Sequence, residues 1–444
     1  GVNTGRRTAG GHGSLAWAPV PAVVGTGASR EGAQVWGDTD SAAPEVDAGT
    51  IEAAFGEPLD HLLDTRAWHY ADDLGRLYER LSSEVQAAVE QEKRVYEPFR
   101  QEVFPRLAQR AGAPPGAGHH PVAEQELKEI TYGLLFNGQV VASDASLYPY
   151  DTLPLTVVQI AVSTVVYQGA ASSWVQRLYR RDLRVSPDNV VDEALALLER
   201  RERREALDHP PRRDYLSRIA TRAIAAYAER AILLEQAGDR WLLGHGSPAP
   251  FELITGSGSM DLMVHGTRLL EHLITQHQRF VYVPSAPKHR LLQSLGHALR
   301  PLEYAIVQWL NEYLEPVFAH GQWRGTVSAD TRVDGRRVSA AEWIQRFRDQ
   351  VTAQVVVGIY RASPLAPARV FYAHRDFAHV AARIALADSV LQWQRGFPLL
   401  LDLADHSCST LFGGHALREA VDVAYTRAGA PWEYLAERAT RPWR

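Results

Sequence analysis

The chain has one cysteine, Cys408, among 444 residues, which excludes an intramolecular disulfide and any metal site built on a cysteine cluster, and agrees with a reducing compartment. Any metal must then be held by carboxylates and histidines. The sequence has no run of about eighteen apolar residues, and it does not start with a charged patch followed by a short apolar stretch. The expectation is therefore a cytoplasmic protein with no membrane span. An excess of positive charge is missing too. With a formal net charge of −5, no global field advertises nucleic acid, so an enzyme acting on it needs a locally basic groove or a partner. What is present is an ordinary globular composition, 45% hydrophobic, enough for a full core in two or three domains.

Residues 1–50 are rich in Gly, Ala, Ser and Thr without periodicity and read as a flexible tail. From 51 to 110 the pattern turns helical: Leu63, Trp68, Tyr70, Leu74, Leu77, Tyr78 and Leu81 recur near helical spacing, and Glu84 to Arg110 continues it. AGAPPGAGHHP at 111–121 reads as a linker ending near 122, with His119 and His120 as solvated loop residues, and the main domain runs from 123 to 444. There, Val140 to Ser143 reads as a strand ending at Asp144, paired with the β-branched stretch Leu155 to Tyr167 through a turn at Asp151 to Pro154. Val190 to Ala206 reads as a salt-bridged charged helix, and Asp214 to Ala237 as a second helix carrying Glu229 beside the small Ala225 and Ala226. The strand Trp241 to Leu243 opens into Gly244-His245-Gly246-Ser247, repeating the shape of Asp144-Ala145-Ser146. A helix at His265 to His277, strands at Phe280 to Val283, Val355 to Tyr360 and Val370 to Tyr372, a helix at Asp376 to Gln394 and a last helical stretch with Asp405 and His406 complete the order. Strands and helices so mixed predict an α/β fold, a central mixed sheet flanked by helices, with a helical region in front.

Asp144, Glu229, His245 and Asp405 are four candidate metal ligands delivered from two strand ends and two helices, although no spacing in the sequence proves that they meet. An isolated strand-end Asp more often bonds its own backbone in a turn. A set of four is different, because paired divalent ions held by such groups activate a water and stabilise the leaving oxygen of a phosphodiester.

From about Glu124 to the C-terminus these pieces resemble the NurA nucleases in content and order. VVASDASLYP resembles the family's first motif, a strand closing on Asp-Gly-Ser, with Ala145 in place of Gly, so the first metal-binding aspartate falls on Asp144. The helical glutamate that precedes the second Asp-Gly-Ser falls on Glu229, sixteen residues before His245, and here His stands where the family has Asp. Near the end the family shows Gly-Tyr-Pro and then Ala-His; this chain has Gly396-Phe397-Pro398 and then Ala404-Asp405, so Asp stands where His is expected. The two departures are opposite and leave the formal ligand charge unchanged, which favours a working site over a decayed one. Phe397 lacks the hydroxyl of the family's Tyr.

The resemblance implies an RNase H-like core, a homodimer, a HerA-type hexameric ATP-driven translocase as partner, and 5′ to 3′ exonuclease with single-strand endonuclease activity in DNA end resection. It implies two metal ions held by Asp144, Glu229, His245 and Asp405, with His406 as the alternative to Asp405. Imidazole with carboxylates suits Mn²⁺ better than Mg²⁺. Lys288, in the SAPK turn, resembles a Ser/Lys segment that contacts the scissile phosphate, against the alternative of a solvated lysine. Arg177, Arg180, Arg181 and Arg184 in QRLYRRDLR are candidates for phosphate contacts or, alternatively, only solvate a helix. Glu235 competes with Glu229 as the helical ligand. A rival function is a non-catalytic dimeric subunit that binds DNA ends and regulates the translocase.

Overall fold

The computed structural model describes residues 57–68, 74–151, 155–168, 173–182, 218–256, 259–285, 289–320 and 336–429, with a few isolated positions besides. The tail expected at 1–50, Arg184, Lys288 and most of the charged helix expected at Val190 to Ala206 lie outside them.

Among the described residues nine strands form one sheet: β1 (Gly118–Pro121), β2 (Val140–Asp151), β3 (Leu155–Val165), β4 (Ser173–Asp182), β5 (Trp241–His245), β6 (Phe280–Val283), β7 (Glu303–Trp309), β8 (Val355–Arg361) and β9 (Arg369–His374). Across the sheet they lie in the order β1-β7-β8-β9-β6-β5-β2-β3-β4. β2, β5 and β6 are mutually parallel, and β3 runs antiparallel between β2 and β4. This five-strand arrangement, with its second strand reversed, is an RNase H-like core. β9, β8, β7 and β1 extend it through antiparallel pairs. The helices that matter for the site are α1 (Leu74–Pro98), α2 (Arg218–Ala237), α3 (Met260–Glu271), α4 (Ala340–Gln350), α5 (Ala378–Val390), α6 (Leu399–Leu411) and α7 (Gly414–Arg427).

Both faces of the sheet are covered, so its central strands read as continuous apolar runs rather than alternating ones. Val141, Leu242, Phe280, Tyr282 and Val357 pack with Leu233, Met263, Leu270 and Ile344 of α2, α3 and α4. Val140, Ala142, Leu243, Val281 and Val356 pack with Ala381, Ala385, Leu400 and Leu401 of α5 and α6 on the other face. Each such fully buried leucine contributes about 1.5–3 kcal/mol.

Four features differ from the sequence reading. β2 does not end at Asp144 but runs on to Asp151, because β3 continues to pair with it from Asp144↔Ser163 to Asp151↔Thr156; what stops is the parallel ladder to β5, whose last pair is Ser143↔Gly244. Residues 118–121 are an edge strand rather than loop, and the two histidines are packed: His119 stacks on Phe104 and lies 3.1 Å from Glu303, and His120 stacks on Tyr304. β7 has no counterpart in the sequence reading. Arg177, Arg180 and Arg181 fall on β4, an edge strand of the sheet, and not on a helix.

Candidate functional site

Side chains alternate across a strand, and the two cores fix which way each residue points. Ala142 and Leu243 face α6, so Asp144 and His245, two residues on, face it as well; Val141 and Leu242 face α2, so Ser143 and Gly244 do too. Gly244 is required there, since a Cβ would lie 2.1 Å from the Tyr282 ring. On the first face His245 Nδ1 lies 3.5 Å from Asp144 Oδ1. Asp405, on the exposed surface of α6, interacts with both. One turn on, Cys408 turns toward the sheet, with Sγ 3.2 Å from Ser146 Oγ and donating to the Ala161 carbonyl at 3.4 Å. Glu229 arrives from the second face, 8% exposed, with Arg230 Nη1 3.4 Å from its Oε2 and, among the described residues, no hydrogen-bond partner on Oε1.

The charges are mutually strained. Burial pushes the Glu229 carboxyl up to about 7; Arg230 opposes this, the Asp144 charge adds to it, and His245 and the nearby Ser143 hydroxyl oppose it. The Ser143 hydroxyl lies against Glu229 without making a hydrogen bond of good geometry. Burial alone would lower the His245 pKa, but its contact with Asp144, with Glu229 and Asp405 beyond, outweighs burial and raises it. Asp405 is raised by crowding of its carboxyl and then by the charge of Asp144, with His245 opposing.

Two residues that the sequence reading left out or left undecided hold this edge in place. Arg230, 3% exposed, donates to the carbonyls of Ala226, Ser247 and Pro248 and lies over the Tyr282 ring, so it ties α2 to the turn that follows His245. Its only sequence signal is adjacency to Glu229. Phe397 sets its ring perpendicular to that of His245 at 6.1 Å, with the Arg369 guanidinium 5.7 Å from its centroid. Gly396 before it has φ +58°, and a Cβ would meet that of Ala366 at 2.5 Å.

Asp144, Glu229, His245 and Asp405 thus share one edge of the sheet, whereas Glu235 is exposed and so is His406, which lies beside Asp405 on α6. A divalent cation fits the donor chemistry here: three acids crowd together, two with raised pKa, and a buried carboxylate oxygen is unpartnered. The sheet edge stands between Glu229 and the others. Among the described residues no group of three His, Cys, Asp or Glu side chains converges closely enough to hold an ion as placed.

No family model matches the chain, and no curated protein matches it. Among solved structures it is similar to the NurA nuclease from Sulfolobus solfataricus, at 8% identity and a TM-score of 0.40 over 79% of this chain and 98% of that one. It is also similar to NurA bound to dAMP and manganese, at 8% identity and a TM-score of 0.33 over 74% and 93%. Likenesses at this level carry no argument about residues or activity, and what places this chain among RNase H-like folds is the order and direction of its own strands.

Proposed function

We propose that this chain is a metal-dependent nuclease that cleaves DNA. The reading is carried by the contact of Asp144 with His245 and Asp405 where the parallel ladder ends, backed by the buried, unpartnered oxygen of Glu229. Asp144, His245 and Asp405 would hold the cation from one face and Glu229 from the other, with Asp144 as common neighbour. Mn²⁺ is the first choice, with Mg²⁺ second and two ions per site. Bound divalent ions lower the pKa of an attacking water and stabilise the leaving oxygen of the phosphodiester.

The chain's own residues do the remaining work. Without a cation, Glu229 keeps its carboxyl proton to about pH 7 and Asp144 favours the protonated imidazole of His245. Both protons must leave for these groups to act as ligands, so cation affinity rises with pH through neutrality. Arg230 orients the turn that carries His245, and Phe397 limits how its ring tilts. Arg177, Arg180, Arg181 and Arg184 would contact backbone phosphates, and Lys288 the scissile one. The finer features rest on the motif resemblance: 5′ to 3′ exonuclease and single-strand endonuclease activity, end resection with a HerA-type translocase, and a homodimer.

The second reading, a non-catalytic subunit that binds DNA ends, is favoured by the lack of three converging donors among the described residues. Purified protein with Mn²⁺ and end-labelled DNA separates the two, alone and with the translocase. Cleavage that falls about 1,000-fold in Asp144→Ala supports the nuclease. DNA binding without cleavage under either condition, or cleavage indifferent to Asp144→Ala, overturns it.

A further inference from the structure

Away from the four ligands, one more carboxylate is completely enclosed. Asp388, near the end of α5, is 0% exposed. Its Oδ1 accepts a hydrogen bond from the Tyr167 hydroxyl, and its Oδ2 accepts one from the backbone N–H of Leu400 at 2.9 Å. Leu400 is the second residue of α6, and the residue in the cap position before that helix, Pro398, offers no side-chain acceptor. The first turn of a helix leaves N–H groups without partners inside the helix. For α6, one of these is satisfied from another element, twelve residues back along the chain.

Tyr167 lies just beyond β3, the strand paired with the Asp144 end of β2, and the ring of Phe136 packs edge-on against it at 5.2 Å. Asp388 therefore joins the end of β3, the end of α5 and the start of α6. Next to it Ser389 Oγ is 2.7 Å from the Tyr360 hydroxyl, which ties the same turn to β8. Asp405 stands five residues after Leu400 on α6. Burial pushes the Asp388 carboxyl up to about 6; the Tyr167 and Leu400 donors hold it down, and Asp402 on the next helix raises it. Enclosing this charge has an energetic cost, and what the carboxylate provides in return is a two-sided acceptor between three segments.

We propose that Asp388 is a positioning residue that sets the start of α6 against β3 and thereby fixes where Asp405 stands relative to Asp144. This rests on the nuclease reading only for its consequence in cation binding; the anchoring itself does not. The test compares Asp388→Ala, which removes both acceptors, with Asp388→Asn, whose amide oxygen can still accept from Leu400 while its NH₂ donates to the Tyr167 oxygen. Two quantities are measured on the whole chain: amide hydrogen exchange across 400–405, and affinity for Mn²⁺ alone. In Asp388→Ala, exchange at 400–405 should rise about tenfold relative to β5 and β6, and Mn²⁺ should bind about tenfold more weakly. In Asp388→Asn, both should return to within about threefold of the parent. Tyr167→Phe keeps the Leu400 bond and should give a smaller rise, about threefold, and it decides the matter if the alanine chain does not fold. A uniform rise in exchange throughout the chain, an unchanged 400–405 segment, or loosened exchange with unchanged Mn²⁺ affinity overturns the assignment. A parent chain that binds no Mn²⁺ sinks the nuclease reading, and the exchange measurement still decides the anchor.

Discussion

The two faces of the sheet meet at the candidate site with unlike charge arrangements. On the α2 face the acid is sealed in: Glu229 has a permanent cation, Arg230, beside it, and the neighbouring Ser143 and Tyr282 hydroxyls are buried without hydrogen-bond partners among the described residues. On the α6 face Asp144 and Asp405 lie nearer to solvent, and the cation beside them is His245, which titrates. Raising the pH removes the imidazolium from the second face and leaves Arg230 untouched on the first. The demand for an added cation therefore grows on the α6 face, and under the proposed function Glu229 would contribute an oxygen from behind.

Asp144, which borders both faces, should show the largest effect. Its change to alanine should remove about 4 kcal/mol of transition-state stabilisation, read as the 1,000-fold loss of DNA cleavage described above. If the loss is small, the edge is not one site. Next comes Glu229→Gln. The folded chain keeps the Glu229 proton to about pH 7, against 4.5 for an ordinary glutamate. The folded state then binds more protons across that window, so the stability of the metal-free protein falls as pH rises from about 4.5 to 7. Glu229→Gln should flatten that slope and raise stability at pH 8 by on the order of 3 kcal/mol, measured by urea unfolding without metal. A slope that survives the substitution would place the titration elsewhere.

Smaller effects probe the α6 face. His245→Asp and Asp405→His should each cost about 2 kcal/mol in cleavage, roughly 30-fold, and the double exchange should recover most of it. Additive losses would mean that the two residues do not share a metal. Least of all, Tyr282→Phe should change stability by no more than about 1 kcal/mol, because the hydroxyl it removes has no hydrogen-bond partner among the described residues. A larger drop in thermal unfolding would reveal a partner bound there.

The sequence showed the class of fold and the four strands nearest the site, β2, β3, β5 and β6, since apolar runs broken by Gly, Pro and Asp mark strands in any context. It ended the strand too early, at Asp144, because a strand's end and the end of one of its two ladders look the same in one dimension. β7 was missed because EYAIVQW carries Glu303 and Gln308 into the interior, which no local pattern announces; Glu303 is tolerated there because Arg100, the backbone N–H of Arg300 and His119 meet it. Arg230 and Asp388 escaped notice for the same reason. A buried charge is legible only with its partners, and theirs lie elsewhere in the chain: for Arg230 the carbonyls of Ser247 and Pro248, for Asp388 Tyr167 and Leu400. The gathering of Asp144, Glu229, His245 and Asp405 at one edge was anticipated from motifs. Their division between two faces was not, because it depends on strand register.

The salt bridge at the far end of the sheet also bears on the order in which the protein can be made. Arg100 and Glu303 are 203 positions apart, and β1 can pair only with β7. During synthesis α1 and the segment after it emerge well before the acid and the strand that complete them. Until then Phe104 and His119, which stack on one another at the finished edge, have no sheet to lie against. Residues 74–121 are thus made well before the strand that seats them, and through that interval their apolar surface stays open to non-native contacts.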